Sequence, residues 1–346
     1  MTKRIILTTL VFLSVTVFLG QTSMMETPIY RADNEDSTVN EQNAFTIYVI
    51  PSKVKYDWSS PRSLFKSYFK NIKRNLFKKD SYLLGHAFVE LRTPLASRRI
   101  FTGMRSASRK EQKDMVLKQH YGLAILGADI KGKLETDAEL ERNVDKYSRK
   151  GQLAFMTFYL SDEATQRLIQ YFDSYMNAID SNGSRGARYG GAFWPRYKGE
   201  GAGCSAFAVS FLDLTGILKE EFDEWLVKIN IPMELIGGPY NQDHDVRVGD
   251  IKKYQRWGGP DEPDIVAYEH FEIYDPTLMY EWIQDTWDEQ NVSNTLPVTP
   301  VQLNQAKGIR IDGRNQALPA EESIFLEREN PSIFIDYYHQ KFTNGN

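Results

Sequence analysis

The chain has 346 residues, of which 41% are hydrophobic and 25% are charged, so it is long enough to bury a sizeable core in one large domain or two ordinary ones. Its formal net charge of −4 argues against a general nucleic-acid-binding protein, because such proteins carry an excess of basic residues. We therefore predict no nucleic-acid partner.

The N-terminus has the three-part pattern of a secretory signal peptide. Lys3 and Arg4 precede an apolar run, Ile5 to Gly20, and a few small or polar residues follow that run. The run has 16 residues, which is short for a membrane span of about 20. We predict that residues 1–23 are a cleaved signal peptide, which implies a secreted or periplasmic, cell-envelope location, and that residues 24–43 form a flexible polar leader.

Hydrophobic periodicity predicts a mixture of strands and helices after the leader. Strands are predicted at 44–52, 82–92, 97–104 and 152–160, with a further strand pair broken by glycines over 120–135. Helices are predicted at 61–79, after the N-cap Ser161, after Gly203 and at 277–287. We interpret residues 219–346, which are more acidic and are punctuated by prolines, as a C-terminal extension packed on the core.

The predicted helix at 61–79 is basic and amphipathic. Basic residues from Arg62 to Lys79 alternate with Phe and Leu residues at helical spacing. Such a helix is able to contact an anionic membrane surface or to admit a lipid chain. The alternative is a helix that packs on the sheet with its lysines in solvent.

The only cysteine of the chain, Cys204, follows a glycine-rich loop and begins an apolar helix. The N-terminus of a helix lowers the pKa of a thiol, because its free N–H groups and its dipole favour negative charge. The backbone N–H groups of Cys204 and Ser205 would also point towards a developing oxyanion. The alternative is a small buried side chain with an inert thiol.

His86 is the best candidate for a base that activates Cys204. It follows Gly85 at the start of a predicted strand, where a neighbouring helix can reach it. His120 is the second choice, and a hydrogen-bonded core histidine is the alternative for either. His244 lies between two aspartates, which indicates a solvated turn or, less often, a ligand set for a metal-dependent hydrolase. We predict no metal and no cofactor.

The order of these motifs resembles the circularly permuted NlpC/P60 branch of the papain-like superfamily, which includes lecithin-retinol-acyltransferase-like and YiiX/YaeF-like proteins. "GHAFVEL" carries His86, and "YGGAFWPRYKGEGAGCSAFAVSFL" carries Cys204. The resemblance covers residues 44–218. It implies an α+β domain, in which an antiparallel sheet bearing the histidine packs on the helix that begins at the cysteine.

The resemblance implies a cysteine hydrolase or acyltransferase that acts on an amide or ester, such as a cell-wall peptide or a lipid. Cys204 would attack the carbonyl carbon and His86 would take and return the proton. The alternative function is that of a non-catalytic binding or structural protein on the same fold. The two hypotheses differ in whether the thiol is reactive.

A third group is expected to orient the imidazole, from the strand after the histidine. Glu90 lies four residues along the same strand, about 13 Å away at about 3.3 Å per residue. Arg98 and Thr102 lie on the predicted partner strand, and Arg98 would disfavour an imidazolium, so Thr102 is the predicted orienting residue.

Three residues of the glycine-rich loop are predicted to line a substrate cleft, namely Arg188, Tyr189 and Trp194. An aromatic loop that closes over the core is the alternative interpretation of the same segment.

Overall fold

The computed structural model describes residues 42–343, with gaps at 79–81, 83, 183–187, 261, 263, 266, 290, 293–295 and 320–322. The predicted signal peptide, 1–23, and the predicted leader up to residue 41 lie outside the described residues. Among the residues that are described, no helix is both long and apolar enough to cross a bilayer.

Strands and helices alternate along the described chain. The strands are β1 (Ala44–Ile50), β2 (His86–Arg92), β3 (Ile100–Thr102), β4 (Met104–Ser106), β5 (Ile130–Leu134), β6 (Ala154–Tyr159), β7 (Arg188–Tyr189), β8 (Leu226–Pro232), β9 (Tyr268–Tyr274), β10 (Asn291–Val292), β11 (Leu296–Leu303) and β12 (Ala306–Asp312). The helices are α1 (Pro61–Lys78), α2 (Arg109–Leu117), α3 (Asp137–Ser148), α4 (Asp162–Asn182), α5 (Cys204–Asp213), α6 (Phe222–Trp225), α7 (Val248–Ile251), α8 (Pro276–Glu289) and α9 (Ile333–Thr343).

The largest sheet has the strand order β10-β11-β12-β6-β1-β2-β3. Its pairs are antiparallel except for β12 and β6, which run parallel. The α+β class is therefore confirmed, whereas the sheet is mixed and not wholly antiparallel as expected. Three of its strands, β10 to β12, come from residues 219–346, so the C-terminal extension completes this sheet in addition to packing on it.

The sheet is covered on both faces because its central strands are apolar on both sides. On β1, Phe45, Ile47 and Val49 belong to the core shared with α4 and α5, whereas Tyr48 and Ile50 belong to the core shared with α3. Strand side chains alternate between faces, so this two-sided pattern requires a layer on each face. The helix that begins at Cys204 is thus held between the sheet and α4.

Most elements predicted from periodicity are confirmed, including α1, α4, α5, α8 and the strands β1, β2, β3 and β6. The expected strand pair over 120–135 is wrong. That segment forms a 3-10 helical turn, Leu123–Leu126, and one strand, β5, which pairs with β4 and β7. Of the glycines that suggested a break between two strands, Gly122 and Gly127 flank the turn and Gly132 lies within β5.

Candidate active site

Cys204 lies at the first position of α5, and Gly203 is the N-cap. The loop before it is closely packed: the N–H of Ala202 donates to the carbonyl oxygen of Arg188 at 3.2 Å. A Cβ at Gly201 would lie 2.2 Å from that same oxygen, so only glycine fits there. Cys204 is buried, with 8% of its surface exposed, and borders a large cavity.

His86 begins β2, directly after Gly85, whose φ of +80° lets the chain turn into the strand. Its ring is 2% exposed and stacks on the ring of Tyr82, with centroids 4.1 Å apart and planes at 11°. His86 Nε2 lies 2.5 Å from Glu135 Oε2. Since Nε2 is held by the carboxylate, Nδ1 is the nitrogen left to interact with the thiol of Cys204.

Glu135 follows β5 and is fixed by three groups besides His86. Its backbone N–H donates to the carbonyl oxygen of Gly103 at 2.8 Å. The hydroxyl of Tyr82 donates to Oε1 at 2.5 Å, and Asn143 Nδ2 donates to that hydroxyl at 2.6 Å. The buried carboxylate therefore has partners on both oxygens, which locks the rotation of the imidazole.

Thr102 does not orient the imidazole, contrary to the prediction. In the register of β2 and β3 it lies opposite Val89, three residues beyond His86, and its hydroxyl donates to the backbone oxygen of Glu135 at 3.3 Å. Glu90 is engaged elsewhere, since it accepts a hydrogen bond from the hydroxyl of Tyr48 at 2.8 Å. Thr102 thus supports the backbone of the carboxylate that does contact His86.

Sequence reasoning missed Glu135 because the residue lies 49 positions from His86 in a segment interpreted as part of a strand pair. Its position depends on the pairing of β4 with β5, directly after β3. The local signal is weak: an acidic residue at the end of a strand is usually a solvated one.

The electrostatics favour an ion pair between Cys204 and His86. Burial lowers the pKa of His86, but the charges of Glu135 and Cys204 and their hydrogen bonds outweigh it and raise the pKa to about 9. Burial raises the pKa of Cys204, but the imidazole, the backbone N–H of Ala87 and the hydroxyl of Tyr189 outweigh it and lower the pKa. Both shifts favour the thiolate–imidazolium form over the neutral pair.

Glu135 keeps its charge although it is buried. Burial alone would raise its pKa, but His86, the hydroxyl of Tyr82 and the guanidinium of Arg105 lower it below the ordinary value. A carboxylate is therefore available to stabilise the imidazolium throughout the neutral range.

Tyr189, in the glycine-rich loop, interacts with the thiol of Cys204. Its β7 strand pairs with β5, with Tyr189 opposite Ile130. Its hydroxyl contacts the sulfur of Cys204 and accepts from the backbone N–H of the same residue. Burial and the nearby thiolate raise the pKa of this tyrosine well above its ordinary value, so it remains a hydrogen-bond donor.

A cavity of about 680 Å³ opens beside Cys204. Its lining is largely aromatic and aliphatic and includes Tyr189 and Trp194, as expected, together with Ser205. Arg188 is absent from the described lining, and its guanidinium lies 3.4 Å from the carboxylate of Asp129. The structure thus brings two of the three predicted cleft residues to the cavity.

The C-terminal extension holds the loop that leads to Cys204. Arg328 donates to both carboxylate oxygens of the buried Glu200, at 2.5 and 2.8 Å. Glu200 in turn accepts from the backbone N–H of Trp194 at 3.0 Å. Leu326 adds a backbone bond from its N–H to the carbonyl oxygen of Arg196 at 2.7 Å. This segment therefore shapes the cavity wall.

The third hypothesis, a metal site at His244, lacks a supporting arrangement. Asp245 accepts from His120 Nδ1 at 2.8 Å, in an exposed pair far along the chain from Cys204. Within the described ranges, no group of three or more His, Cys, Asp or Glu side chains is arranged to hold a metal ion.

Gly103 packs closely against both Glu135 and His86. A Cβ there would lie 2.7 Å from the Cβ of Phe88, 3.0 Å from Glu135 Oε2 and 3.4 Å from His86 Nε2. We expect Gly103→Ala to destabilise the protein by about 1–3 kcal/mol through overpacking and to move the carboxylate away from the imidazole. Chemical denaturation and thiol-labelling rates measure the two effects.

Gly249→Ala is the matched control, because nothing lies within 4 Å of a Cβ at that position. If Gly103→Ala leaves both stability and labelling at wild-type values, the close packing around Glu135 does not constrain the site.

Comparison of the chain with protein-family profiles, with curated proteins and with solved structures finds no match.

Proposed function

We propose that this protein is an exported thiol-dependent hydrolase or acyltransferase that acts on an amide or ester bond. The observation that carries the proposal is the contact between Cys204, at the start of a helix, and the buried pair of His86 and Glu135. A nucleophile, a base and a group that orients the base are the three parts that covalent acyl transfer requires.

In the proposed reaction, the thiolate of Cys204 attacks the carbonyl carbon and the carbonyl oxygen becomes an oxyanion. The hydroxyl of Tyr189, beside the sulfur, and the backbone N–H of Ser205, in the first turn of α5, supply donors to that oxygen. The His86 imidazolium then gives its proton to the leaving amine or alcohol, and an acyl thioester remains on Cys204. Water or an alcohol acceptor next loses a proton to His86 and releases the acyl group.

The arrangement supports the permuted papain-like resemblance. His86 precedes Cys204 in the chain, His86 begins a strand, and the helix that begins at Cys204 contacts that strand, β2. These are the relations that the resemblance implies. The carboxylate of Glu135 supplies the third group that the strand after the histidine did not offer by sequence.

The cavity favours a substrate with a bulky apolar acyl group. Aromatic side chains from α1, β9 and the glycine-rich loop line it, among them Tyr68, Phe271 and Trp194. Apolar surface of this kind gains free energy by burying hydrocarbon, at about 25 cal/mol per Å². A lipid ester or amide therefore fits better than a polar cell-wall peptide.

The reactivity of the thiol tests the proposal directly. Since the chain has one cysteine, the iodoacetamide labelling rate reports Cys204 alone. We expect a labelling pKa well below the ordinary thiol value of about 8.5, because His86, Ala87 and Tyr189 stabilise the thiolate. Intact-mass measurement with acyl p-nitrophenyl esters is expected to show an acyl adduct on the same residue.

His86→Ala serves as the comparison, because it removes the main stabilising partner and should return the labelling pKa towards the ordinary value. A wild-type labelling profile that matches that of a free thiol, with no acyl adduct, would leave the non-catalytic binding protein as the better hypothesis.

A further inference from the structure

The exposed face of α1 carries a single-sign charge. Arg62, Lys66, Lys70 and Lys73 lie on it at helical spacing, and the opposite face is buried at Leu64. The helix contains no acidic residue. Among the described residues, no acidic side chain forms an ion pair with any of these four cations, and Lys70 interacts with the carboxylate of Asp57 only at longer range.

Phe69 lies in the middle of this cationic stripe with 45% of its surface exposed. Its ring stacks on that of Phe65 at 6.1 Å, and Lys73 Nζ lies 4.9 Å from the ring centroid. Five large hydrophobic residues of the described chain are exposed, and Leu84 (42%) and Leu117 (53%) are two of the others.

Three exposed apolar residues, Phe69, Leu84 and Leu117, belong to the lining of the cavity beside Cys204 or adjoin a lining residue, and we refer to them as the rim. Leu84 lines the cavity itself, Phe69 stacks on the lining residue Phe65, and Leu117 directly follows the lining residue Val116. The exposed apolar surface therefore continues inward along the cavity wall.

From this juxtaposition we infer that the rim and the cationic stripe of α1 dock on an anionic phospholipid bilayer. The rim side chains enter the headgroup region, and Arg62, Lys66, Lys70 and Lys73 contact lipid phosphates. An acyl chain that leaves such a surface stays in apolar surroundings from the bilayer to the sulfur. The docking does not require a reactive thiol; that the bilayer supplies the substrate rests on the proposed function.

Charge complementarity selects the bilayer over other partners. A protein partner would have to match both a row of cations and an open apolar cavity. An anionic membrane offers both kinds of surface, because its phosphates can pair with the cations and its hydrocarbon layer can receive the apolar rim. The attraction depends on unscreened charge, so it falls as salt is raised.

Vesicle co-sedimentation of the mature protein tests the inference. We expect the wild-type protein to bind vesicles of phosphatidylglycerol and not those of phosphatidylcholine. Lys66→Gln with Lys73→Gln should lower the partition constant by about fivefold per charge, or about 25-fold for the pair. Phe69→Ser should weaken binding further, because it removes the central apolar contact of the rim.

Arg142→Gln with Lys150→Gln is the matched control. Both residues are exposed and lie in or just after α3, on the face of the sheet away from α5 and Cys204. This control pair should bind as the wild-type protein does. Equal losses in the two double variants, or no binding of the wild-type protein to phosphatidylglycerol, would overturn the inference, and recognition of a protein partner without vesicle binding would also do so.

Cys204→Ala separates the inference from the proposed function. It should bind vesicles as the wild-type protein does, because the thiol takes no part in docking. Vesicle binding without any acyl transfer would contradict the proposed function alone, whereas turnover of soluble esters without vesicle binding would contradict the docking alone.

Discussion

Replacement of Cys204 by Ala is expected to abolish acyl transfer, and replacement of His86 by Ala is expected to reduce kcat/KM by about 10⁴-fold or more. Both residues act on the same step, because the imidazolium of His86 stabilises the attacking thiolate and then donates a proton to the leaving amine or alcohol. Steady-state hydrolysis of soluble acyl esters measures the effect.

The double variant provides the stricter test of this pair. If the two residues act as a unit, Cys204→Ala with His86→Ala loses no more activity than Cys204→Ala alone. Additive losses, or residual acyl-enzyme formation in Cys204→Ala, would contradict the assignment of Cys204 as the nucleophile. Gly249→Ala is a suitable control, because a Cβ at that position meets nothing within 4 Å and the residue has no part in the proposed proton transfer.

Replacement of Glu135 by Gln is expected to lower kcat/KM by about 10²- to 10⁴-fold and to change its pH dependence. The wild-type profile should rise on the acid side as Cys204 loses its proton, below the ordinary pKa of a thiol. It should fall on the alkaline side as the His86 imidazolium, with a pKa of about 9, loses its proton. The active window lies between these two limbs.

The direction in which Glu135→Gln moves the pH profile follows from the charge of the carboxylate. The negative charge of Glu135 is a main cause of the raised pKa of His86, so its removal moves the alkaline limb to lower pH. The profile of kcat/KM against pH measures this shift, which a purely structural role for Glu135 would not produce. Glu90 lies on β2, as His86 does, but its carboxylate accepts from the hydroxyl of Tyr48, so Glu90→Gln should leave the alkaline limb in place. An unchanged limb in Glu135→Gln would show that another group sets the pKa of His86.

Two residues of the candidate site, His86 and Cys204, could be predicted because the element that carries each of them depends on a local sequence pattern. Alternating apolar residues predict β2 and place His86 at its start, and glycines before an apolar run predict the helix that begins at Cys204. These signals depend on neighbours within a few residues, so a single sequence contains them.

Glu135 could not be found in that way, because nothing near it in the chain indicates a buried partner for an imidazole. Its carboxylate reaches His86 only after β3 pairs with β2 and β4 pairs with β5. The second of these pairings joins residues as far apart as Met104 and Leu134, and the free energy that selects it comes from burial and from backbone hydrogen bonds between strands. The sequence favours Thr102 instead, because proximity on paired strands is the only spatial information that a single sequence contains.

The sequence by itself determined the strand that carries His86, the helix that carries Cys204 and the basic amphipathic character of α1, since side-chain periodicity and glycine positions specify local conformation. Only the tertiary structure decided the third member of the site, the parallel pairing of β12 with β6 and the connection of the apolar rim to the cavity lining. Those features depend on which distant segments exclude water from one another, and that choice is made by packing across the whole chain.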